Sequence, residues 1–306
     1  MESIEEIKKL ATKVPFLNKP EISYLSEGFG NYNYFIREGN ARYVLRIKKS
    51  VEAQFQDSLE REYIFLKHFK AKGIDFCPEV YFYDDKNNFL IESFLEGEEV
   101  EQKDFSSKQI DLFAKQLHEI YRLDVTTFAS FCLENKCKEF GYVSPLVSLD
   151  TYGFKRFEQA KQDGLNESIS TWIDTKLKDN LHYLETVTKQ KGSLGFAWGD
   201  IQSRVIIGPD ESMYFYDFEY ATISSSFGLS YIKIHGSFNE CQFNYLVERC
   251  AFYFETTVSE LLDEIEAEEK ITRVNDVVWA AMKWAETSDE EFEKITEQRI
   301  KLVENL

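Results

Sequence analysis

The feature that most constrains how this chain can fold is a change of apolar rhythm near Gly97. From Ile22 to about Leu95 the apolar residues fall in short strand-like runs, at Tyr34 to Arg37, Arg42 to Ile47, Val80 to Tyr83 and Phe89 to Phe94, where successive side chains alternate between two faces. One stretch among them has helical spacing instead. Leu59, Tyr63, Leu66 and Phe69 recur at intervals of three and four between the candidate caps Asp57 or Ser58 and a stop at Gly73. Beyond Gly97 the rhythm is helical, over Ile110 to Leu123, Phe154 to Lys161, Ile169 to Val187, Phe243 to Glu255 and Val258 to Glu268. It is broken once, by two short strands at Val205 to Ile207 and Met213 to Tyr216 around the turn-forming stretch Gly208 to Ser212. The pattern predicts an α+β fold: a small N-terminal β-sheet lobe with one helix, residues 1–96, and a larger, mainly helical C-terminal lobe, residues 97–306.

Composition narrows what such a chain can do. With 43% apolar and 15% aromatic residues it can bury a substantial core, which excludes disorder as the main theme. Lysine and arginine number 36 against 54 aspartate and glutamate, a net charge of −18, and such an excess of carboxylates argues against a nucleic-acid partner. The one dense basic run, Arg46 to Lys49, is too short to track a phosphate backbone. Apolar runs such as Val277 to Met282 fall far short of the ~18 residues that cross a bilayer, so no membrane partner is expected. Residues Met1 to Val14 lack the basic, apolar and small-residue regions of a signal peptide. The five cysteines form an odd number with no C-x-x-C pair and read as reduced thiols of a cytoplasmic protein.

Two placements of charge point to chemistry. Glu62 falls inside the apolar stripe of its helix, beside Tyr63 and one turn from Leu59 and Leu66. A buried carboxylate without a partner costs several kcal/mol, so a cation should face it from the sheet. In the strand from Arg42 to Lys48, alternation puts Val44, Arg46 and Lys48 on one side, and Arg46 is the first choice as that partner. The second placement is the hairpin after residue 204, whose antiparallel strands bring Asp200 and Asp217 to one end. Two converging carboxylates can hold Mg²⁺ through hard oxygen ligands while the metal neutralises the phosphates of a nucleotide.

With these residues in view, the chain resembles the aminoglycoside phosphotransferase and choline kinase family, which has a bilobal protein-kinase-like fold. The motifs that carry the resemblance are Y-V-L-R at 43–46, L-E-R-E at 59–62, L-I-E-S-F-L-E-G at 90–97, F-A-K-Q-L-H-E-I at 113–120, W-G-D-I-Q-S-R-V at 198–205 and Y-D-F-E at 216–219. They stand in the family's order and spacing over roughly residues 24–235. The resemblance implies an ATP- and Mg²⁺-dependent phosphotransferase acting on a hydroxyl of a small molecule. It implies that Ser26 to Asn33, including Gly28, Gly30 and Asn31, is the loop over the ATP phosphates, and that Arg46 contacts phosphate under the guidance of Glu62. It further implies that Glu92 to Glu96 is the hinge, with the backbones of Glu92 and Phe94 facing adenine. Asp200 would orient the substrate hydroxyl and accept its proton, and Asp217 would hold Mg²⁺.

The sequence departs from the family pattern around the catalytic segment. Trp198 stands in place of a histidine, Gly228 about where an aspartate braces the catalytic loop, and Val205 in place of the asparagine that gives Mg²⁺ an oxygen. An isopropyl group cannot coordinate a hard cation, so that metal position is either lost or filled by water, Gln202 or Ser203. A catalytically impaired pseudokinase that binds nucleotide or a protein partner is therefore the alternative reading. The C-terminal acidic runs, Glu260 to Glu269 and Asp289 to Glu293, read as solvated helix faces, or else as the lining of a site for a cationic substrate such as an amino sugar or a choline-like head group.

Overall fold

The N-terminal runs pair as their alternation requires. In the computed structural model, which describes residues 4–28, 30–49, 58–135, 149–187, 195–198, 204–224 and 228–305, five strands form one antiparallel sheet. These are β1 (Glu21–Glu27), β2 (Asn31–Glu38), β3 (Ala41–Lys48), β4 (Val80–Asp84) and β5 (Phe89–Ser93), in the order β1-β2-β3-β5-β4. Register fixes the two faces. Tyr34 lies opposite Leu45, which lies opposite Ile91, and these join Ile36, Ile47 and Phe89 in a buried apolar layer. That layer is closed by Ile7 and Ala11 of a first helix, α1 (Ile4–Ala11), with Val14 and Leu17 after it. The sheet thus carries a helix beyond the single one expected. The apolar stripe of α1, Ile4, Ile7, Leu10 and Ala11, has helical spacing but only eight residues in which to show it.

The expected helix is α2 (Ser58–Ala71). Its end is where Gly73 takes φ +85°, while Asp57 lies outside the described residues. Helix α3 (Ser107–Tyr121) opens with a capping box between Ser106 and Gln109. Helix α4 (Thr126–Glu134) packs on α2 through Phe65 and Phe128, ring centroids 4.9 Å apart. A second, three-stranded sheet is made by β6 (Glu98–Glu101), β8 (Arg204–Ile207) and β9 (Met213–Tyr214). The hairpin expected at 205–216 is present, closed by the Gly208 N–H donating to the Ser212 carbonyl at 2.8 Å, with a second strand shorter than the sequence suggested. All of these elements belong to one compact unit, formed by residues 1–140 and 198–221.

The other unit comprises residues 141–197 and 222–306. It holds the small pair β7 (Gly195–Ala197) and β10 (Thr222–Ser224) and the helices α5 (Lys155–Gln162), α6 (Glu167–Val187), α7 (Leu229–His235), α8 (Glu240–Tyr253), α9 (Val258–Thr287) and α10 (Glu290–Glu304). Helix α9 runs 30 residues, far past the expected end at Glu268. Its buried residues Ile271, Val274, Val277, Val278 and Ala281 continue a stripe that packs on Phe157, Ile173 and Leu177. The acidic run within it is not wholly solvated. Glu269 is buried and accepts hydrogen bonds from Lys233 Nζ and Arg273 Nη2, both at 2.6 Å. Burial would raise its carboxyl, but these two cations hold it below its ordinary range. No helix among the described residues is long and apolar enough to cross a membrane.

One glycine sets how β6 meets β8. Gly97 has φ +155°, and a Cβ there would lie 2.2 Å from the carbonyl oxygen of Ile207, a backbone atom that cannot step aside. Gly97→Ala should therefore lower the unfolding free energy by about 3 kcal/mol through overpacking and backbone strain. Denaturant titration of the two proteins measures this, and an unchanged midpoint would show that β6 and β8 do not approach as described.

Candidate active site

Arg46 sits at the centre of the polar face of the first sheet. Alternation places it with Val44 and Lys48 on the face opposite the apolar layer, and α2 presents Glu62 to that face. The expected ion pair is present: Arg46 Nη1 donates to Glu62 Oε1 at 2.6 Å, with Glu62 fully buried. The other arm of the same guanidinium reaches a residue far along the chain. Arg46 Nη2 donates to Asp217 Oδ1, also at 2.6 Å, and the Asp217 side chain remains a quarter exposed. Glu62 Oε1 accepts a further bond from the backbone N–H of Phe218 at 2.8 Å. The helix carboxylate thus fixes both the arginine and the segment that carries Asp217.

The charges around Arg46 do not balance. Burial works to lower its pKa, but Glu62, Asp217, Glu92 and Glu219 together hold it well above the ordinary value. Lys48, the second cation, is pushed down by burial, with Glu219 opposing. Four carboxylates therefore share two cations in a largely buried setting. Two groups show the strain of that arrangement. Burial pushes the Glu62 carboxyl up with Arg46 opposing, and burial raises Glu92 to about 7, with Arg46 opposing and Asp217 adding to the rise. Hard oxygen donors that outnumber the cations beside them suit a divalent cation such as Mg²⁺. Among the described residues there is no group of three His, Cys, Asp or Glu side chains that could hold a metal unaided, so such an ion would need ligand oxygens from elsewhere, as a nucleotide's phosphates provide.

Asp217 takes φ +66°, an uncommon backbone state for a residue other than glycine. Trp198 helps to hold it there. Its indole Nε1 donates to the carbonyls of Tyr216 and Asp217 at 3.0 and 3.1 Å, and its ring stacks on Phe215 and Phe218, centroids 4.4 and 5.4 Å away. The tryptophan that departs from the family pattern therefore positions the Asp217 backbone. Val205, the other departure, is fully buried on β8, opposite Val100 of β6. Gly228 precedes α7 with φ +73°. Asp200 and Gln202 lie outside the described residues.

The loop expected over the phosphates is the turn between β1 and β2, with Glu27 opposite Tyr32. Ser26 Oγ accepts from Asn33 Nδ2 at 3.1 Å, and the Gly28 N–H donates to the Asn31 carbonyl at 3.0 Å. Lys49 ties the turn to β3, its N–H to the Gly30 carbonyl at 2.8 Å and its Nζ to the Gly28 carbonyl at 2.6 Å. Asn31, buried, donates from Nδ2 to Glu219 Oε2 at 3.0 Å, and Lys48 Nζ lies 4.0 Å from the same oxygen. Glu219 and Lys48 are site residues that the sequence reading passed over. The signal was there in their spacing, each two residues beyond a residue already singled out, Asp217 and Arg46.

The exit of β5 is arranged differently from the expectation. Phe94 donates its backbone N–H to the Arg42 carbonyl at 3.3 Å, so that donor is engaged with β3. Glu92 stands opposite Val44, and main-chain groups on a strand keep the same side every second residue, so its backbone also turns to β3. Ser93 turns the other way, donating to the Glu79 carbonyl at 2.8 Å. Beyond Phe94 the chain has left β5, whose last residue is Ser93, and Leu95 follows outside the strand.

A small antiparallel sheet whose buried arginine meets one helix carboxylate and an aspartate beyond a hairpin belongs to a protein-kinase-like fold. A profile described as "Phosphotransferase enzyme family" matches residues 21–224, and the chain belongs to that family. Solved structures similar to it include choline kinase LicA from Streptococcus pneumoniae, at 14% identity and TM-score 0.71 over 99% of this chain and 100% of that one. The GDP complex of wild-type aminoglycoside 2'-phosphotransferase-IIIa matches at 16% identity and TM-score 0.65, over 100% and 98% of the two chains. The streptomycin-ATP-APH(2")-IIa ternary complex matches at 17% identity and TM-score 0.65, over 98% and 97%. A search of curated proteins finds no sequence match.

The burial of Val205 leads to a test. Val205→Asn should bury an amide at a fully buried position opposite Val100 and cost about 2 to 4 kcal/mol of stability, with no gain in Mg²⁺-nucleotide affinity. Unfolding free energy and calorimetric affinity, measured on the one variant, check this. Tighter binding at unchanged stability would instead mean that position 205 faces the metal.

Proposed function

We propose that the chain is an ATP- and Mg²⁺-dependent phosphotransferase that acts on a hydroxyl of a small molecule. The observation that carries this reading is Arg46 held between Glu62 and Asp217 at 2.6 Å on each side. A guanidinium fixed in this way offers a preorganised cation to phosphate oxygens, and preorganisation is most of what a loose phosphoryl-transfer transition state asks of a protein. Asp217 would hold Mg²⁺, which neutralises phosphate charge when bound, and Gln202 would stand as a further ligand in the position that Val205 vacates. The turn from Ser26 to Asn33 would cover the phosphates. The base would lie at the exit of β5, near Leu95, between Glu92 and the start of β6.

Asp200 would orient the acceptor hydroxyl and take its proton as the new oxygen to phosphorus bond forms. An aspartate of ordinary pKa near ~4 is a weak base, which suffices where positioning rather than proton abstraction sets the rate. The acceptor we favour is cationic, an amino sugar or a choline-like amine. The support is a net charge of −18 and the acidic stretches of α9 and α10, together with the choline and aminoglycoside enzymes among the structural relatives. Free thiols at Cys77, Cys132 and Cys250, all buried, suit a cytoplasmic setting. One observation favours the second reading, a pseudokinase that binds nucleotide without transfer: the loss of a metal-binding side chain at Val205.

Thermal shift and calorimetry with ATP, with and without Mg²⁺, separate these readings when joined to a turnover assay over alcohols, amino sugars and choline-like amines. The expected result is a metal-dependent rise in melting temperature. Asp217→Ala should abolish that rise, while Asp200→Ala should keep binding and lose turnover. Binding without turnover on any acceptor would favour the pseudokinase, and no binding at millimolar ATP would end the phosphotransferase reading and leave a pseudokinase that binds a protein partner.

A further inference from the structure

The helical unit of residues 141–197 and 222–306 holds a cleft of about 180 Å³ that includes no residue of the Arg46 cluster. Three helices line it, α7 with Ile234 and His235, α9 with Arg273 and Asp276, and α10 with Arg299 and Leu302. On α9 and on α10 the two lining residues are three positions apart, which puts them on one face of their helix. The two arginines are only partly engaged. Arg273 gives Nε and Nη2 to Glu269 Oε1 at 2.8 and 2.6 Å, yet that carboxylate also takes Lys233 Nζ on its other oxygen, so one anion serves two cations. Arg299 Nη1 donates to the main-chain carbonyl of Asp276 at 2.8 Å, and its guanidinium stands 5.1 Å from the centre of the Trp279 ring. Among the described residues no carboxylate lies within ion-pair distance of Arg299, and Arg273 Nη1 and Arg299 Nε and Nη2 make no hydrogen bond. Asp276, the carboxylate of the lining, has Oδ2 turned to His235 Nε2, 2.9 Å away.

We infer that this cleft binds the carboxylate of a small organic acid, with Arg273 and Arg299 holding the oxygens and Ile234 and Leu302 covering a short carbon chain. Guanidinium forks with unspent N–H groups match the two oxygens of a carboxylate. A chain of net charge −18 repels anions over most of its surface, so two arginines at one cleft reverse the field locally. Leu302 is 53% exposed, an apolar wall left open beside those charges. Drug-sized ligands take ~300 Å³ or more, so the cleft has room for a small acid and not for a nucleotide. The cationic acceptor favoured above would be repelled here, which makes this a second ligand site. The competing role for Arg299 is to fasten α10 to α9 through the Asp276 carbonyl and Trp279, and that role needs no ligand.

Titration of the full chain with butyrate, followed by the NMR signals of the arginine Nε–H groups, decides between the two. No nucleotide is present, so the phosphotransferase reading stands or falls separately. The expected result is a saturable shift of the Arg273 and Arg299 signals, with none on adding n-butylamine. Arg299→Gln and Arg273→Gln, each read at the remaining arginine and checked for folding by a melting curve, should weaken butyrate binding at least about tenfold through loss of a charge-assisted bond. The two changes lie on different helices, so either one alone carries the test if the other does not fold. Shifts that never saturate and that chloride reproduces would overturn the inference, as would butyrate binding that both variants leave unchanged. Saturable binding of inorganic phosphate without binding of butyrate would overturn it too, because the apolar wall would then have no part in the site.

Discussion

The site depends on one guanidinium that two distant carboxylates hold from opposite sides. Arg46 comes from the sheet, Glu62 from α2, and Asp217 from the segment after the hairpin, and each contact is 2.6 Å. Taken singly, each of these charges would be expensive where it stands, Glu62 most of all because it is fully buried. Together they justify one another, and the Phe218 N–H bond to Glu62 ties the backbone into the same unit. The excess of carboxylates that remains is the electrostatic reason such a cluster suits a metal and a nucleotide.

The departures from the family pattern gain meaning from this cluster. Trp198 replaces a histidine yet bonds the carbonyls of Tyr216 and Asp217 and packs its rings against Phe215 and Phe218. It therefore supports the left-handed backbone at Asp217 with one indole N–H and a large apolar surface. Val205 is fully buried on β8, where it stands opposite Val100 of β6. One position of the segment thus serves packing, while the position that carries Asp217 is held by Arg46 and Trp198.

The residues of this cluster were legible in the sequence because their chemistry conflicts with their surroundings. A glutamate inside an apolar helical stripe demands a cation, and strand alternation left few candidates for it. Strand and helix order were legible for the same reason, through the periods of two and 3.6 residues. What stayed hidden depended on tertiary pairing. Glu219 shows only its two-residue spacing from Asp217 in the sequence, and its burial follows when Asn31 and Lys48 close on it. The exit of β5 could not be read because one backbone bond, Phe94 to Arg42, decides which residues face outward. Helix α1 offers only eight residues in which its stripe of Ile4, Ile7, Leu10 and Ala11 can show, and α9 runs past its expected end because its apolar edge continues beyond the acidic run.

The central claim is that Arg46 and Glu62 act as one unit. A double-mutant cycle with Arg46→Met and Glu62→Gln, read as unfolding free energy and as Mg·ATP affinity, tests it most directly. The account predicts that the double variant loses little more than either single one, a coupling of about 2 kcal/mol. Losses that add to within about 0.5 kcal/mol would contradict it, because independent side chains behave in that way.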